Sequence, residues 1–127
     1  MITDILIDPV HGEFDLVDVE RYLAEVPHSA RDAIEPKTFM LAANDDALDD
    51  AREQRELDSS RFSMSVILVS VSSKRIMVAY RSDLVEPARR FVAWLRQRRD
   101  VKFLDEGLRD VTKDVDDKLD YLFGPSA

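Results

Sequence analysis

Two strongly apolar segments, residues 62–71 and 75–81, lie close together in the middle of the sequence. Only Ser72, Ser73 and Lys74 separate them. Strands joined by so short a connection usually pair as an antiparallel hairpin. The consecutive apolar residues from Val66 to Val69 indicate that both faces of the first strand are covered. The sequence therefore predicts a hairpin in the middle of a sheet.

Shorter apolar segments predict the remaining elements. We expect strands at residues 2–7, 38–43 and 101–104, and a short capped turn from Ser29 to Ile34. Asp15 and Asn44 are predicted N-caps, and Pro87 suits the first turn of a later helix. Apolar residues at helical spacing define three helices: Leu16, Val19, Leu23 and Val26; Leu84, Ala88, Phe91, Val92 and Leu95; and Val111, Val115, Leu119 and Leu122.

The order of these elements predicts an α+β fold with a mixed or antiparallel sheet of about four or five strands. We expect helices on one face of the sheet and an added C-terminal helix. The arrangement resembles the split β-α-β plan of ferredoxin-like folds, a likeness that carries no function by itself. A length of 127 residues fits a single domain, 1–127. The predicted core comprises Leu16, Val19, Leu23, Val66, Leu68, Ile76, Val78, Phe91 and Leu95.

The charge is unevenly distributed along the chain. Residues 1–60 hold 16 acidic and five basic residues, whereas residues 61–127 hold 10 acidic and 13 basic ones. Residues 44–58 are the most acidic stretch, and their few apolar positions are Ala47, Leu48, Ala51 and Leu57. This pattern predicts a solvated helix or a mobile acidic segment. Its predicted partner-binding residues are Asp45, Asp46, Asp49, Asp50 and Glu53.

Trp94 is a further candidate for partner binding. It lies beside the apolar stripe of its helix, so part of its ring is expected to be exposed. Packing under a neighbouring loop or the last helix is one interpretation. The other is a role as an interface residue, because tryptophan is enriched at binding hot spots.

Residues that resemble a metal or catalytic site cluster after the first strand. His11, Glu13 and Asp15 alternate along the chain and follow Asp8. Alternating carboxylate and imidazole groups suit a metal ion, and a histidine can act as a general base. No second histidine lies nearby in the sequence, and the chain has no cysteine. We therefore expect no metal ion, no cofactor and no catalytic residues.

Composition also limits the class of partner. A formal net charge of −8 argues against binding to nucleic acid, which is itself negatively charged, despite the arginines among residues 89–99. No apolar run approaches the roughly 18 residues of a membrane-spanning helix. The opening sequence MITDILID lacks the basic residues of a signal peptide, so a cytoplasmic protein is expected. Homo-oligomers are compatible with the sequence.

Together these features favour a non-catalytic protein-binding domain, of the immunity or inhibitor type, that meets a basic partner through its acidic surface. The alternative is a small enzyme or ligand-binding domain with a site around His11, Glu13 and Asp15. The two hypotheses differ in whether those three side chains converge in a pocket.

Overall fold

A computed structural model of the chain describes residues 2–60, 62–63, 65–81 and 84–117. Six strands and four helices make up this part of the chain. They are β1 (Ile2–Pro9), α1 (Leu16–Glu25), β2 (Ser29–Arg31), β3 (Thr38–Leu41), α2 (Asp45–Leu57), β4 (Ile67–Val71), β5 (Ile76–Arg81), α3 (Glu86–Arg98), β6 (Val101–Leu104) and α4 (Thr112–Asp117). Of the helices in these ranges, none has the length and apolar content needed to cross a membrane.

The predicted α+β class is confirmed, and the sheet is antiparallel throughout, with the strand order β2-β3-β4-β5-β1-β6. The predicted hairpin is also confirmed: β4 and β5 pair at the middle of the sheet, with Val69 opposite Val78. β4 begins at Ile67 and not at residue 62. Phe62 instead places its ring under the guanidinium of Arg55, 3.9 Å from Cζ to the ring centroid.

The sheet has six strands, more than the expected four or five, because residues 29–31 form an edge strand and not a turn. Ala30 pairs with Met40 of β3. The Ser29 hydroxyl still lies against the end of α1, where it reaches the carbonyl oxygens of Leu23 and Val26 at 2.8 and 2.7 Å. The same residue thus closes a helix and begins a strand.

The split β-α-β plan is visible once β2, β3 and α2 are set aside. The remaining strands have the order β4-β5-β1-β6, and β1 lies between β5 and β6, which α3 connects. β5 and β6 run in the same direction, since each is antiparallel to β1. The segment β2-β3-α2 is therefore an insertion that extends the sheet beyond β4.

Helices cover both faces of the sheet, which corrects the expectation of helices on one face. α1 and α3 pack on the main core, to which Phe39 and Ile67 belong. α2 packs on a second cluster that includes Met40 and Leu68, the next residues along β3 and β4. Because successive side chains of a strand point to opposite faces, α2 lies on the other side of the sheet.

The predicted core residues occupy these two clusters. Val19, Leu23, Ile76, Val78, Phe91 and Leu95 are buried in the main core, and Val66 is buried in the second cluster. Leu16 and Leu68 are partly buried at the margins of the clusters. Of the predicted last helix, residues 112–117 are helical, while Leu119 and Leu122 lie outside the described residues.

Candidate functional site

The acidic stretch is an ordered helix, α2, with a defined N-terminus. The side chain of Asn44 caps it by accepting a hydrogen bond from the backbone N–H of Ala47 at 2.8 Å. The predicted cap is thus confirmed. Asp45 and Asp46 occupy the first turn, where carboxylates interact favourably with the helix dipole.

The carboxylates of α2 form one exposed surface, which we call the acidic face. It comprises Asp45, Asp46, Asp49, Asp50, Glu53 and Glu56, all exposed. At about 100° per residue, these six positions span an arc of about 140° around the helix. The buried residues Leu48, Ala51 and Arg55 lie on the opposite side. The five acids predicted from the sequence therefore do share a surface.

A buried ion pair anchors the C-terminal half of α2. Nε and Nη2 of Arg55 donate to the two carboxylate oxygens of Asp32, each at 2.9 Å. The two side chains are 5% and 1% exposed. Nη1 of Arg55 also donates to the carbonyl oxygen of Ser59 at 2.8 Å. This interaction holds α2 against the segment between β2 and β3.

The apolar stripe of α2 ends before Leu57, which corrects the prediction at that one position. Leu57, counted among its apolar positions, is 81% exposed. The buried residue near the end of α2 is instead Arg55, whose charge is paired with Asp32, 23 residues away in the sequence. Helical spacing could have indicated this burial, because Arg55 lies seven residues after Leu48 and four after Ala51, on the buried stripe, whereas Arg52 is exposed.

The electrostatics of the buried pair follow from its geometry. The hydrogen bonds from Arg55 hold the pKa of Asp32 below its ordinary value, against the opposing effect of burial. Backbone N–H groups of Ile34 and Glu35 donate to the same carboxylate at 3.1 and 2.7 Å, which lowers the pKa further. Asp32 in turn raises the pKa of Arg55. The pair is therefore charged in the folded protein at neutral pH.

This lowered pKa predicts a stability loss in acid. A carboxyl group with a folded-state pKa below its unfolded value, near 4, stabilises the protein fully above that value and loses the effect as the pH falls through the folded-state pKa. We expect Asp32→Asn to be less stable than the wild type at pH 7 but to lose less stability between pH 5 and pH 2. Urea unfolding across this range measures both curves. Parallel curves would contradict the assignment.

The N-terminal end of α2 is joined to the turn that follows α1. Nδ1 of His28 lies 2.7 Å from a carboxylate oxygen of Asp45. His28 has a φ of 60°, a left-handed conformation that few non-glycine residues adopt. The tight turn between α1 and β2 therefore places the imidazole beside the start of the acidic face.

A cavity of about 560 Å³ opens at this same end of the molecule. Its walls come from the end of α1, the start of α3 and the segment leading into α2. Apolar groups make up most of the lining, among them Tyr22, Val26, Ala43, Leu84 and Pro87. No sequence pattern indicated this cavity, because its residues come from separate parts of the chain.

Charged side chains surround the apolar lining. Glu25, Glu86, Arg90 and His28 all border the cavity. Burial raises the pKa of the Tyr22 hydroxyl, and the positive charge of Arg90 partly opposes this effect. Among the described residues, the Tyr22 hydroxyl has no hydrogen-bond partner and Arg90 has no ion-pair partner.

Trp94 lies away from the acidic face, within the layer formed by α1 and α3. Its ring stacks on Tyr22, with centroids 4.4 Å apart, and is partly buried. The guanidinium of Arg98 lies 5.2 Å from the same ring and 3.8 Å from a carboxylate oxygen of Asp18. Trp94 and the acids of α2 are therefore on opposite sides of the sheet.

His11, Glu13 and Asp15 do not converge. All three are exposed, and Asp15 serves as the N-cap of α1 through its bond from Asp18 N–H at 3.3 Å. Asp15 borders a cavity of about 230 Å³ that His11 and Glu13 do not line. Within the described ranges, no three histidine or carboxylate side chains are grouped to hold a metal ion.

Comparisons with known protein families, curated proteins and solved structures find no match to this chain.

Proposed function

We propose that this chain is a non-catalytic protein-binding domain, of the immunity or inhibitor type, whose acidic face meets a basic surface of a partner protein. The observation that carries the proposal is the acidic face itself: six exposed carboxylates lie on one side of a helix whose other side is buried. The charge is thus presented on an ordered element of the fold.

The packing of α2 supports a preorganised surface. Asn44 caps the start of the helix, and the ion pair of Arg55 with Asp32 anchors its C-terminal half. Leu48 and Ala51 are buried on the side that faces the sheet. A binding surface that is already ordered loses less conformational entropy when the complex forms. Its negative field accelerates encounter with a basic surface and disfavours acidic competitors.

The test requires variants that leave the helix intact. Asp45 contacts His28, and Asp45 and Asp46 both stabilise the first turn, so changing them would alter the helix as well as the surface. We therefore use the face variant, in which Asp49→Asn, Asp50→Asn, Glu53→Gln and Glu56→Gln are combined. Its matched control removes the same number of charges by combining Glu13→Gln, Glu35→Gln, Asp100→Asn and Glu106→Gln, four exposed acids outside the helices.

Capture from a lysate of the native host, with each protein immobilised and the captured proteins quantified by mass spectrometry, distinguishes the outcomes. We expect a basic protein to be retained by the wild type and the control, and to be reduced by on the order of tenfold with the face variant. Equal loss from both variants would contradict the proposal, since only overall charge would then matter. Equal retention by all three proteins would also contradict it, since the acids of α2 would then play no part in binding.

A further inference from the structure

We propose that the cavity between the ends of α1 and α3 receives a large apolar side chain of the partner, flanked in the partner by lysine or arginine. This inference rests on the proposed function and adds a second contact to the acidic face. The partner segment would pass over the N-terminal end of α2 and insert its apolar residue into the cavity.

The position of the cavity is the first argument. Ala42 and Ala43 line it and lead directly into Asn44, the cap of α2. His28 borders the cavity and also contacts Asp45 on the acidic face. A partner bound at the start of α2 therefore lies next to the opening.

The chemistry of the lining is the second argument. A volume of about 560 Å³ lies within the range of pockets that enclose a sizeable apolar group. The Tyr22 hydroxyl and the Arg90 guanidinium are donors that suit the backbone carbonyl oxygens of an inserted segment. A single large side chain that fills a desolvated pocket is the usual arrangement of an interface hot spot.

Charge complementarity selects the flanking residues. Glu25, Glu86 and Arg90 border the cavity, but Glu86 is paired with Arg89 at 3.5 Å and Asp45 lies 2.7 Å from His28. The carboxylates that a basic flanking residue would meet are therefore Glu25 at the rim and the acids of α2 next to it. A segment with a basic residue on each side of its apolar residue matches Glu25 on one side and the acidic face on the other.

Four probes test the proposal by NMR titration of the full chain: acetyl-KKWKK-amide, acetyl-KKAKK-amide, acetyl-EEWEE-amide and N-acetyltryptophanamide. We expect the KKWKK peptide to shift the methyl signals of Val26, Ala43 and Leu84 and to bind about tenfold more tightly than KKAKK, because the indole is buried. The acidic peptide and N-acetyltryptophanamide should each bind at least about tenfold more weakly than KKWKK.

Variants separate the cavity from the acidic face. Ala43→Trp fills the opening from an exposed position and should abolish the preference for KKWKK over KKAKK. Glu25→Lys, also at an exposed position, should weaken KKWKK severalfold and provides a second test of the rim. The face variant should weaken both basic peptides while leaving the ratio between them unchanged.

The outcomes differ for the two proposals. Equal affinities of KKWKK and KKAKK, with shifts confined to α2, would overturn the cavity proposal and leave the proposed function standing. Equal retention of the basic partner by the face variant and its matched control would overturn the proposed function. If N-acetyltryptophanamide binds as tightly as KKWKK, the cavity is a small-molecule site. If the NMR signals of the cavity residues shift when the protein alone is diluted, a second copy of the chain occupies the cavity. Either result would overturn the cavity proposal.

Discussion

Replacing Arg55 with methionine is expected to lower the free energy of unfolding by about 3–5 kcal/mol. The substitution leaves the carboxylate of Asp32 buried at 1% exposure without its paired charge. Backbone N–H groups of Ile34 and Glu35 would still donate to Asp32, but they carry no net charge. Urea unfolding at pH 7 measures the loss.

A second ion pair in the chain provides the control. Arg75 donates to Asp8 through Nε and Nη2 at 2.7 and 2.8 Å, the same two-bond geometry as the buried pair. Its side chains are 43% and 15% exposed, so solvent screens the interaction. Arg75→Met should therefore cost under about 1 kcal/mol. Equal costs for Arg55→Met and Arg75→Met would contradict the role given to burial.

Truncating Phe91 to alanine is expected to destabilise the protein by about 3–5 kcal/mol. Phe91 has no exposed surface and packs in the main core between the sheet and α1. Its ring lies 5.8 Å from that of Tyr22 and 6.2 Å from that of Trp94, centroid to centroid. The substitution removes these ring contacts and leaves a cavity that neighbouring side chains fill only in part.

Val17→Ala is the matched truncation at an exposed helix position, since Val17 is 66% exposed. It should change the free energy of unfolding by no more than about 0.5 kcal/mol. Denaturant melts of both variants measure the difference. A loss below about 1 kcal/mol for Phe91→Ala would show that the face of α3 has been assigned wrongly.

Elements specified by local signals could be predicted from the sequence. The β4–β5 hairpin has dense apolar strands and a short connection, and Asp15 and Asn44 act as the N-caps that their positions suggested. The edge strand β2 was missed because three residues with one buried position carry no strand signal. It forms because β3 offers a free edge with which it can pair.

Features that depend on distant residues could not be predicted. Helical spacing from Leu48 and Ala51 places Arg55 on the buried side of α2, but its partner Asp32 could not be predicted, because the whole of β3 separates the two in the sequence. The cavity requires Tyr22, Ala43 and Pro87 to meet, although each lies in a different part of the chain. Trp94 was expected either to pack under a neighbouring loop or the last helix or to bind a partner. Its ring stacks on Tyr22 of α1, and its role in binding stays a prediction.

The salt dependence of the association rate tests the central claim most directly. Stopped-flow or surface-based kinetics would compare the wild type and the face variant against the captured partner, from about 0.05 to 0.5 M salt, over which the screening length shortens severalfold. We predict that the wild-type on-rate falls by on the order of tenfold over this range, and that the face variant starts lower and changes less. A wild-type on-rate that ignores both the salt and the four substitutions would contradict the claim, since the acids of α2 would then serve only as a solvated surface.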